Sequence, residues 1–329
     1  MMNLSVRQAQ FFLTLASEGN YTHAAQKLFV SQPSLTQTIH KLEQDLNVTF
    51  FYRENQQYHL TREGEIFAET CRSFLQISQN LGKQLTDLSS TAENTVSVGM
   101  PFNLGAYMFP QLYMIYQTQH SNTKFIPVEG RSPKLRQLLL RNEIDIAVMP
   151  YKNTLDHPNI GRVPIFQEEI LLSVPKNHPL NEHAVYSSGR RYASIDITLT
   201  NGEDYIISAP GQTLHDICER LFKEANLSIN PMFTSRSLDA KKALSAVGLG
   251  LTIMPEHYCN FYGANANANY YYILPPYNYT WDVFAFYQAD SYLSLATKAC
   301  IEVLQKMGHS YNWSAPGNCT RYNDSIGLL

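Results

Sequence analysis

Between residues 21 and 46 apolar positions recur at helical spacing in two short runs separated by a break. Ala24, Ala25 and Leu28 form the first run, with Thr22 placed to cap it and two alanines small enough to let another helix approach closely. Phe29, Val30 and Ser31 make the break. Ser31 reads as the N-cap of a second helix, and Pro33 sits where a first-turn proline forfeits no hydrogen bond. Leu35, Ile39, Leu42 and Leu46 then give one apolar stripe. The opposite face opens with Gln32, Ser34, Thr36, Gln37 and His40, all hydrogen-bonding side chains. This is the layout of a helix-turn-helix, whose second helix offers its first turns to the DNA major groove. A helix pair with a polar outer face also occurs in proteins that bind no nucleic acid, so the flanks decide.

Residues 8–20 predict a preceding helix with Phe11, Phe12 and Leu15 inward, ending near Gly19. After the pair, Phe50, Phe51, Arg53, Leu60, Thr61 and Gly64 fit a strand-turn-strand wing and the start of a new helix. From 62 to about 89 that helix carries Phe67, Phe74, Leu81 and Leu88 every seven residues, with Cys71, Ser78 and Leu85 four further on. Such a heptad seam cannot bury itself. It packs either on its own domain or on a second copy of the helix; pairing is preferred, because symmetric dimers are the commonest oligomers and suit two-fold DNA sites. The dimerisation residues are then Phe67, Phe74, Leu81, Leu85 and Leu88.

Residues 91–94 loosen the chain, and from Val96 the rhythm becomes strand, loop, helix. Strands are expected at 96–100, 124–130 and 144–150, with a helix over 104–119 whose first turns Pro110 sets apart and another opened by Ser132-Pro133 and closed by Asn142. The chain leaves this lobe near Pro175. Residues 183–202 read as loop with a short helix near 195–199. Strands at 205–211, 231–236 and 251–255 then alternate with helices at 213–226 and 237–250. The low-complexity run at 263–272 reads as a surface loop entering a strand, 281–288 returns to the first lobe, and Ser291 caps a last helix that Gly308 ends. Repeated strand-helix-strand order predicts a parallel doubly wound sheet. In such sheets ligands sit beyond the carboxyl ends of the strands, where helix N-termini offer free N–H groups to anions or carbonyls. Phe102, Asn103, Arg131, Ser132, Tyr151, Gly211, Ser235 and Ser237 fall there, Ser132 and Ser237 also reading as ordinary helix caps.

Composition adds bounds. A chain of 329 residues is too long for one compact core, and 44% hydrophobic residues suffice to fill several. The net charge of -3 argues against a surface coated in positive charge, although a small DNA-binding module can sit within a neutral whole. Residues 1–60 balance Arg7, Lys27, Lys41 and Arg53 against Glu18, Glu43, Asp45 and Glu54. No stretch approaches membrane length and the apolar run at Phe11-Phe12-Leu13 is too short for a signal peptide, so a cytoplasmic protein is expected. The five cysteines, Cys319 among them, are scattered without metal-ligand spacing, which predicts reduced thiols, no metal and no cofactor, with a redox switch as the alternative.

Taken together, Ala24-Ala25, Leu28, Ser31-Gln32-Pro33-Ser34-Leu35-Thr36, Ile39, Leu42-Glu43, Leu46-Asn47, Phe50-Phe51, Arg53, Leu60-Thr61 and Gly64 closely resemble the N-terminal domain of the LysR-type bacterial transcriptional regulators. Leu135, Leu138, Leu139, Ile144-Asp145-Ile146-Ala147, His178-Pro179-Leu180 and Val247-Gly248-Leu249-Gly250-Leu251 are similar to the effector-binding domain of the same regulators. The resemblance implies a multidomain chain: a winged helix-turn-helix over 1–61, a linker helix over 62–92 through which subunits pair, and a bilobal, periplasmic-binding-protein-like α/β effector domain over 93–308. Its first lobe would comprise 93–174 and 276–308 and its second 175–275, with a polar tail at 309–329. The residues expected at DNA are Thr22, Ser31, Gln32, Pro33, Ser34, Thr36, Gln37, His40, Lys41 and Arg53. Expected partners are double-stranded DNA carrying an interrupted inverted repeat, a small-molecule effector, a second or several copies of the chain as homodimer or homotetramer, and RNA polymerase as a candidate; no membrane is expected. The sequence departs from the family after His183, in the Asn/Ala/Tyr run and in the tail.

Two other classes compete. An enzyme would show a nucleophile elbow, a phosphate-binding glycine loop or paired metal-spaced histidines, and these motifs are missing from the sequence. A secreted solute-binding protein shares the bilobal plan but would carry no helix-turn-helix.

Overall fold

The computed structural model describes residues 4–88, 94–152, 155–261 and 267–310, so the expectations for 91–93, the start of the Asn/Ala/Tyr run, Cys319 and the tail beyond 310 lie outside the described residues. The chain divides into a unit of residues 1–94 with 290–295 and a unit of residues 95–289 with 296–329.

The first unit contains α1 (Val6–Glu18), α2 (Tyr21–Lys27), α3 (Gln32–Leu46), a wing of β1 (Phe51–Glu54) and β2 (Gln57–Leu60), and α4 (Arg62–Leu88). Its helices start on side-chain caps. Ser5 and Gln8 form a reciprocal capping box on α1. Asn20 caps α2, accepting the N–H groups of Thr22 and His23 at 2.8 and 3.1 Å. Thr22 is therefore not the cap: it already lies inside the helix, whereas Asn20 holds the extended backbone a cap requires. Ser31 caps α3, and Asn47 closes it in the left-handed conformation. Thr61 Oγ1 accepts the Gly64 N–H at 3.0 Å and so caps α4. Gly64 is there for space, since a Cβ would stand 2.2 Å from the Phe50 carbonyl oxygen.

The core of this unit gathers Phe12, Leu15, Leu35, Ile39, Phe50 and Phe67, with Phe12 edge-on to Phe50 and Phe67 at 5.1 and 4.7 Å. The heptad seam of α4 consequently divides. Phe67 and Cys71 are buried in this core and Phe74 packs against it, which removes Phe67 and Phe74 from a pairing surface, while Ile77, Leu81, Leu85 and Leu88 remain exposed. Segment 290–295 lies along the later turns of α4, where Asn80 accepts from the Ser291 hydroxyl and Asp87 from the Tyr292 hydroxyl and the Leu295 N–H. Ser291 is thus spent on α4 and does not cap the last helix, which begins at Leu295.

The second unit contains β3 (Asn94–Met100), α5 (Phe102–Gln119), β4 (Thr123–Glu129), α6 (Ser132–Leu140), β5 (Ile146–Pro150), β6 (Ile160–Pro175), β7 (Ser194–Ile195), β8 (Asp204–Ser208), α7 (Thr213–Glu224), β9 (Asn230–Ser235), α8 (Leu238–Ala246), β10 (Leu251–Pro255), α9 (Glu256–Phe261), β11 (Ala268–Ile273), β12 (Thr280–Gln288) and α10 (Leu295–Ser310). Strand order is β4-β3-β5-β12-β6-β10-β8-β9, with β11 beside β6 and β7 beside β11. The sheet is mixed and not all-parallel: β3–β5, β8–β9 and β8–β10 run parallel, but β12 is antiparallel to β5 and β6, and β6 to β10 and β11.

β6 joins the two lobes. Residues 160–169 pair with β12 and residues 170–175 with β10 and β11, so the crossover falls at Glu169–Ile170 and not at Pro175. Val98, Met100, Tyr116, Ile146 and Leu304 sit in the core of the first lobe, Leu172, Tyr205, Leu221 and Ile253 in that of the second. α5 runs unbroken through Pro110, because Pro110 and Ala106 both lie on its exposed side and water can serve the carbonyl left without a partner. Gly308 does not end α10; it lets the helix pass the Ile165 carbonyl, which an added Cβ would approach to 1.9 Å.

Candidate nucleic-acid interface and ligand cleft

The outer face of α3 carries two rows at i, i+4 spacing, Gln32-Thr36-His40 and Pro33-Gln37-Lys41. Gln32, Pro33, Gln37, His40 and Lys41 are exposed, with Ser34 and Thr36 half-buried between them, while Leu35, Ile39 and Leu42 hold the inner face. The Gln32 amide donates to Thr36 Oγ1 at 3.0 Å, which steadies one carboxamide on this surface. His40 lies 3.2 Å from Glu43, whose carboxylate also accepts the Phe50 N–H at 2.8 Å and so fixes the end of α3 to the start of the wing. Ser31 spends its hydroxyl on the Ser34 N–H, and Thr22 is exposed on the first turn of α2. The wing is tied down by the Tyr58 N–H on the Gly19 carbonyl at 2.8 Å and by the Tyr58 ring edge-on to Tyr21 at 4.9 Å. Arg53 lies over the Tyr58 ring at 5.8 Å. A groove of about 590 Å³ between the start of α1 and α3 brings Ser5, Arg7 and Gln8 beside Ser34, Gln37 and Lys41. Arg7 and Gln8 were not among the residues expected at DNA, standing more than twenty positions before α3.

In the second unit the strand ends of the two lobes define the other candidate site. α5, α6 and α7 begin there at Pro101, Arg131 and Gln212, and none of the three has a side-chain hydrogen bond to its first turn. Phe102 is not in a loop but opens α5, with Asn103 half-buried beside it. Ser132 lies inside α6 and is no cap, the cap position belonging to Arg131. Ser237 does cap α8, accepting the Ala240 N–H at 3.2 Å, and Ser235 accepts the Ser237 N–H at 3.1 Å, so both serines are locally committed. Tyr151 is drawn off: its hydroxyl donates to Asp156 at 2.8 Å and its ring carries the Arg162 guanidinium at 4.5 Å. Gly211 is exposed in the turn leading to α7. Lys152, after β5, pairs with Asp216 in the first turn of α7, linking the two lobes at this end.

Beneath the second lobe's strand ends, Lys241 is 1% exposed and donates to Ser208 Oγ and the Ile253 carbonyl, both at 2.8 Å. Burial lowers its ammonium to about 8. Where β6 changes lobes, the buried Glu168 carboxylate accepts from the His257 backbone at 2.9 Å, faces His257 Nδ1 at 2.8 Å and takes the Trp281 indole N–H. Next to it Glu256 accepts from the Tyr272 hydroxyl and is raised to about 7, first by burial and then by the carboxylates of Glu168 and Glu169. Cys71, Cys218, Cys259 and Cys300 are buried, and burial pushes the thiols of Cys71 and Cys218 up to about 12 and about 11. Those shielded, protonated thiols are the opposite of a reactive thiolate. Among the described residues no group of acids, histidines and cysteines is placed to hold a metal ion, and no helix is long and apolar enough to cross a membrane.

A capped helix-turn-helix with a wing, followed by a bilobal α/β unit with facing strand ends, defines a DNA-binding regulator carrying a ligand-binding type of domain. Residues 6–65 match the bacterial regulatory helix-turn-helix protein of the lysR family and residues 89–308 match the LysR substrate binding domain; the chain belongs to the LysR family of transcriptional regulators, which are not enzymes. The uncharacterized HTH-type transcriptional regulator YybE of Bacillus subtilis (strain 168) is 27% identical over 249 residues, covering 76% of this chain and 82% of that one. The transcriptional dual regulator GltC of the same organism is 24% identical over 253 residues, covering 77% and 81%. Among solved structures, a full-length OxyR variant from Pseudomonas aeruginosa superposes with a TM-score of 0.69 at 22% identity, covering 95% of this chain and 97% of that one. Full-length CbnR complexed with its target DNA gives 0.52 at 20% identity, covering 93% and 100%. At these identities the structures establish the shared fold.

Proposed function

We propose that this regulator reads a two-fold operator, an interrupted inverted repeat, with the outer face of α3, as a homodimer or homotetramer whose subunits pair through the later turns of α4. Ligation of a small molecule between the lobes of the second unit would set its regulatory state. The observation that carries the reading is the outer face of α3, with Gln32, Gln37, His40 and Lys41 exposed over an apolar inner face and the helix start fixed by the Ser31 cap. Major-groove readout needs that presentation: hydrogen-bonding side chains at the helix start, backed by a rigid core. Leu81, Leu85 and Leu88 support the pairing, being exposed apolar side chains along one helix. For the effector, the bare starts of α5, α6 and α7 supply N–H donors suited to an anion or carbonyl group. Such a protein works where the DNA is, in the cytoplasm, and RNA polymerase is the partner through which it would act.

DNase footprinting of the chain on its own upstream DNA tests the operator half of this reading, and a protected two-fold site is the expected result. A metabolite screen by thermal shift tests the other half. Leu81→Glu places a charge on the exposed apolar turns of α4 and should abolish the dimer in sedimentation; a variant that sediments like wild type removes α4 as the pairing element.

A further inference from the structure

We propose that Arg7 and Lys41, brought together in the groove between the start of α1 and α3, form a two-cation seat for the DNA backbone phosphates flanking each half-site. This rests on the assignment of α3 to the major groove. The cations of residues 1–60 are few, and the structure divides them by use. Lys27 is tied to Glu18 at 2.6 Å, and Arg53 stands on the wing, outside the groove that holds Arg7 and Lys41. Arg7 and Lys41 are both exposed, and among the described residues neither is ion-paired.

Their setting favours a phosphate. Arg7 is laid over the face of Phe11 at 5.0 Å, and Phe11 is itself buried in the core of the unit, so the guanidinium is held on a fixed platform. Lys41 is one helical turn beyond Gln37 in the same exposed row of α3. The groove that holds the two cations therefore continues the reading face, and Ser34 and Gln37 line both. A duplex whose base edges meet Ser34 and Gln37 has its sugar-phosphate strand beside Lys41 and Arg7. Two like charges sharing one groove with no acid are repelled from each other until an anion enters, and a run of phosphates supplies it. In a module with formally balanced charge, these two side chains, with Arg53 on the wing, then carry the sequence-independent part of binding.

The test is a salt titration of the full chain on its operator and on random duplex, with Arg7→Gln, Lys41→Gln and the charge-keeping Arg7→Lys and Lys41→Arg. Each neutral variant should flatten the log-log salt slope by about 0.9 per half-site and weaken both DNAs by the same factor, leaving base discrimination unchanged. The charge-keeping variants should restore the slope. A slope unchanged in both neutral variants, or a loss confined to the operator, overturns the seat; weaker binding by Arg7→Gln at unchanged slope would show that Arg7 only steadies α1. Gln32→Ala read on the same two DNAs keeps the outcomes apart, because lost discrimination there upholds the groove assignment even where the phosphate seat fails.

Discussion

The two units differ in how most of their helices begin, although Ser237 caps α8 in the second as serines do in the first. In the first, Ser5, Asn20, Ser31 and Thr61 each satisfy the N–H groups of the helix that follows. In the second, α5, α6 and α7 start at the facing strand ends without any side-chain cap. A cap contributes about 1 kcal/mol, and omitting it leaves donors open to another partner. One unit spends its side chains on fixing the helices of the surface it offers to DNA. The other leaves backbone donors unserved where a small ligand can take them.

The rigidity of the first unit is open to the largest disturbance. Gly64→Ala would put a Cβ 2.2 Å from the Phe50 carbonyl, against backbone that cannot swing aside, and should cost about 3 kcal/mol or more. Differential scanning calorimetry should show a lower transition for the first unit and an unmoved one for the second. A single transition shifted as a whole would mean that the two units melt together and that the contrast between them is one of design, not of stability.

A smaller change separates the units by pH. Glu256 is buried and its carboxyl is raised from its ordinary 4.5 to about 7, chiefly by burial. The unfolded chain therefore ionises first, so this group lowers stability progressively as pH rises from 4.5 to 7 and by a constant amount above, on the order of 3 kcal/mol. Glu256→Gln keeps an acceptor for the Tyr272 hydroxyl. It should raise the melting temperature at pH 8 and change it little at pH 4, and equal effects at the two pH values would show that Glu256 ionises normally in the fold.

The same contrast explains how much could be seen from the sequence. The first unit is made of local signals: Ser31 ahead of Pro33, apolar residues at 35, 39 and 42, and Thr61 three before Gly64 each act within a turn or two of chain. Its shortfalls are also local, Thr22 for Asn20 as a cap, or arise where one seam meets a core built from elsewhere, as when Phe67 and Phe74 pack under α1 and the wing. The strands and helices of the second unit were largely legible from alternation, but its pairing was not. Whether β12 inserts antiparallel between β5 and β6, and where β6 changes lobes, depend on partners more than a hundred residues away. The site suffered most from this. Ser237 takes the cap that its spacing announced, but Tyr151 and Ser235 stand at strand ends with hydroxyls committed to neighbours that alternation does not reveal, and Lys241, buried beneath Ser208, carried no signal beyond a lysine in an amphipathic helix.

At the DNA face, Gln32 tests whether rigidity serves recognition. Its carboxamide is exposed at the head of α3 and steadied by Thr36, where it can meet adenine bidentately, so Gln32→Ala should lose about 1–3 kcal/mol of discrimination with the fold intact. Competition footprints on the operator and on single-base variants measure it. Thr36→Ala, which removes the steadying bond and any contact of its own hydroxyl, should lose less; an equal loss from both would mean that the Gln32 amide cannot read its base unless Thr36 holds it.

The smallest effect asks whether the bare helix starts of the second unit are bare for a reason. Arg131 occupies the cap position of α6 with the extended backbone that a capping serine needs, and its own side chain makes no cap bond. Arg131→Ser should therefore stabilise the unliganded second unit by about 0.5–1 kcal/mol, the usual gain from a serine at that position. If the open N–H groups serve an effector, the same substitution should weaken the thermal shift that an effector produces, because the new hydroxyl competes for the donors and the guanidinium is lost with them. Arg131→Ala separates the two causes: it removes the guanidinium without offering an acceptor, so a weaker response in the serine variant than in the alanine variant isolates the backbone donors. A serine variant that is more stable and responds as fully as wild type would leave the start of α6 as uncapped helix with no part in binding.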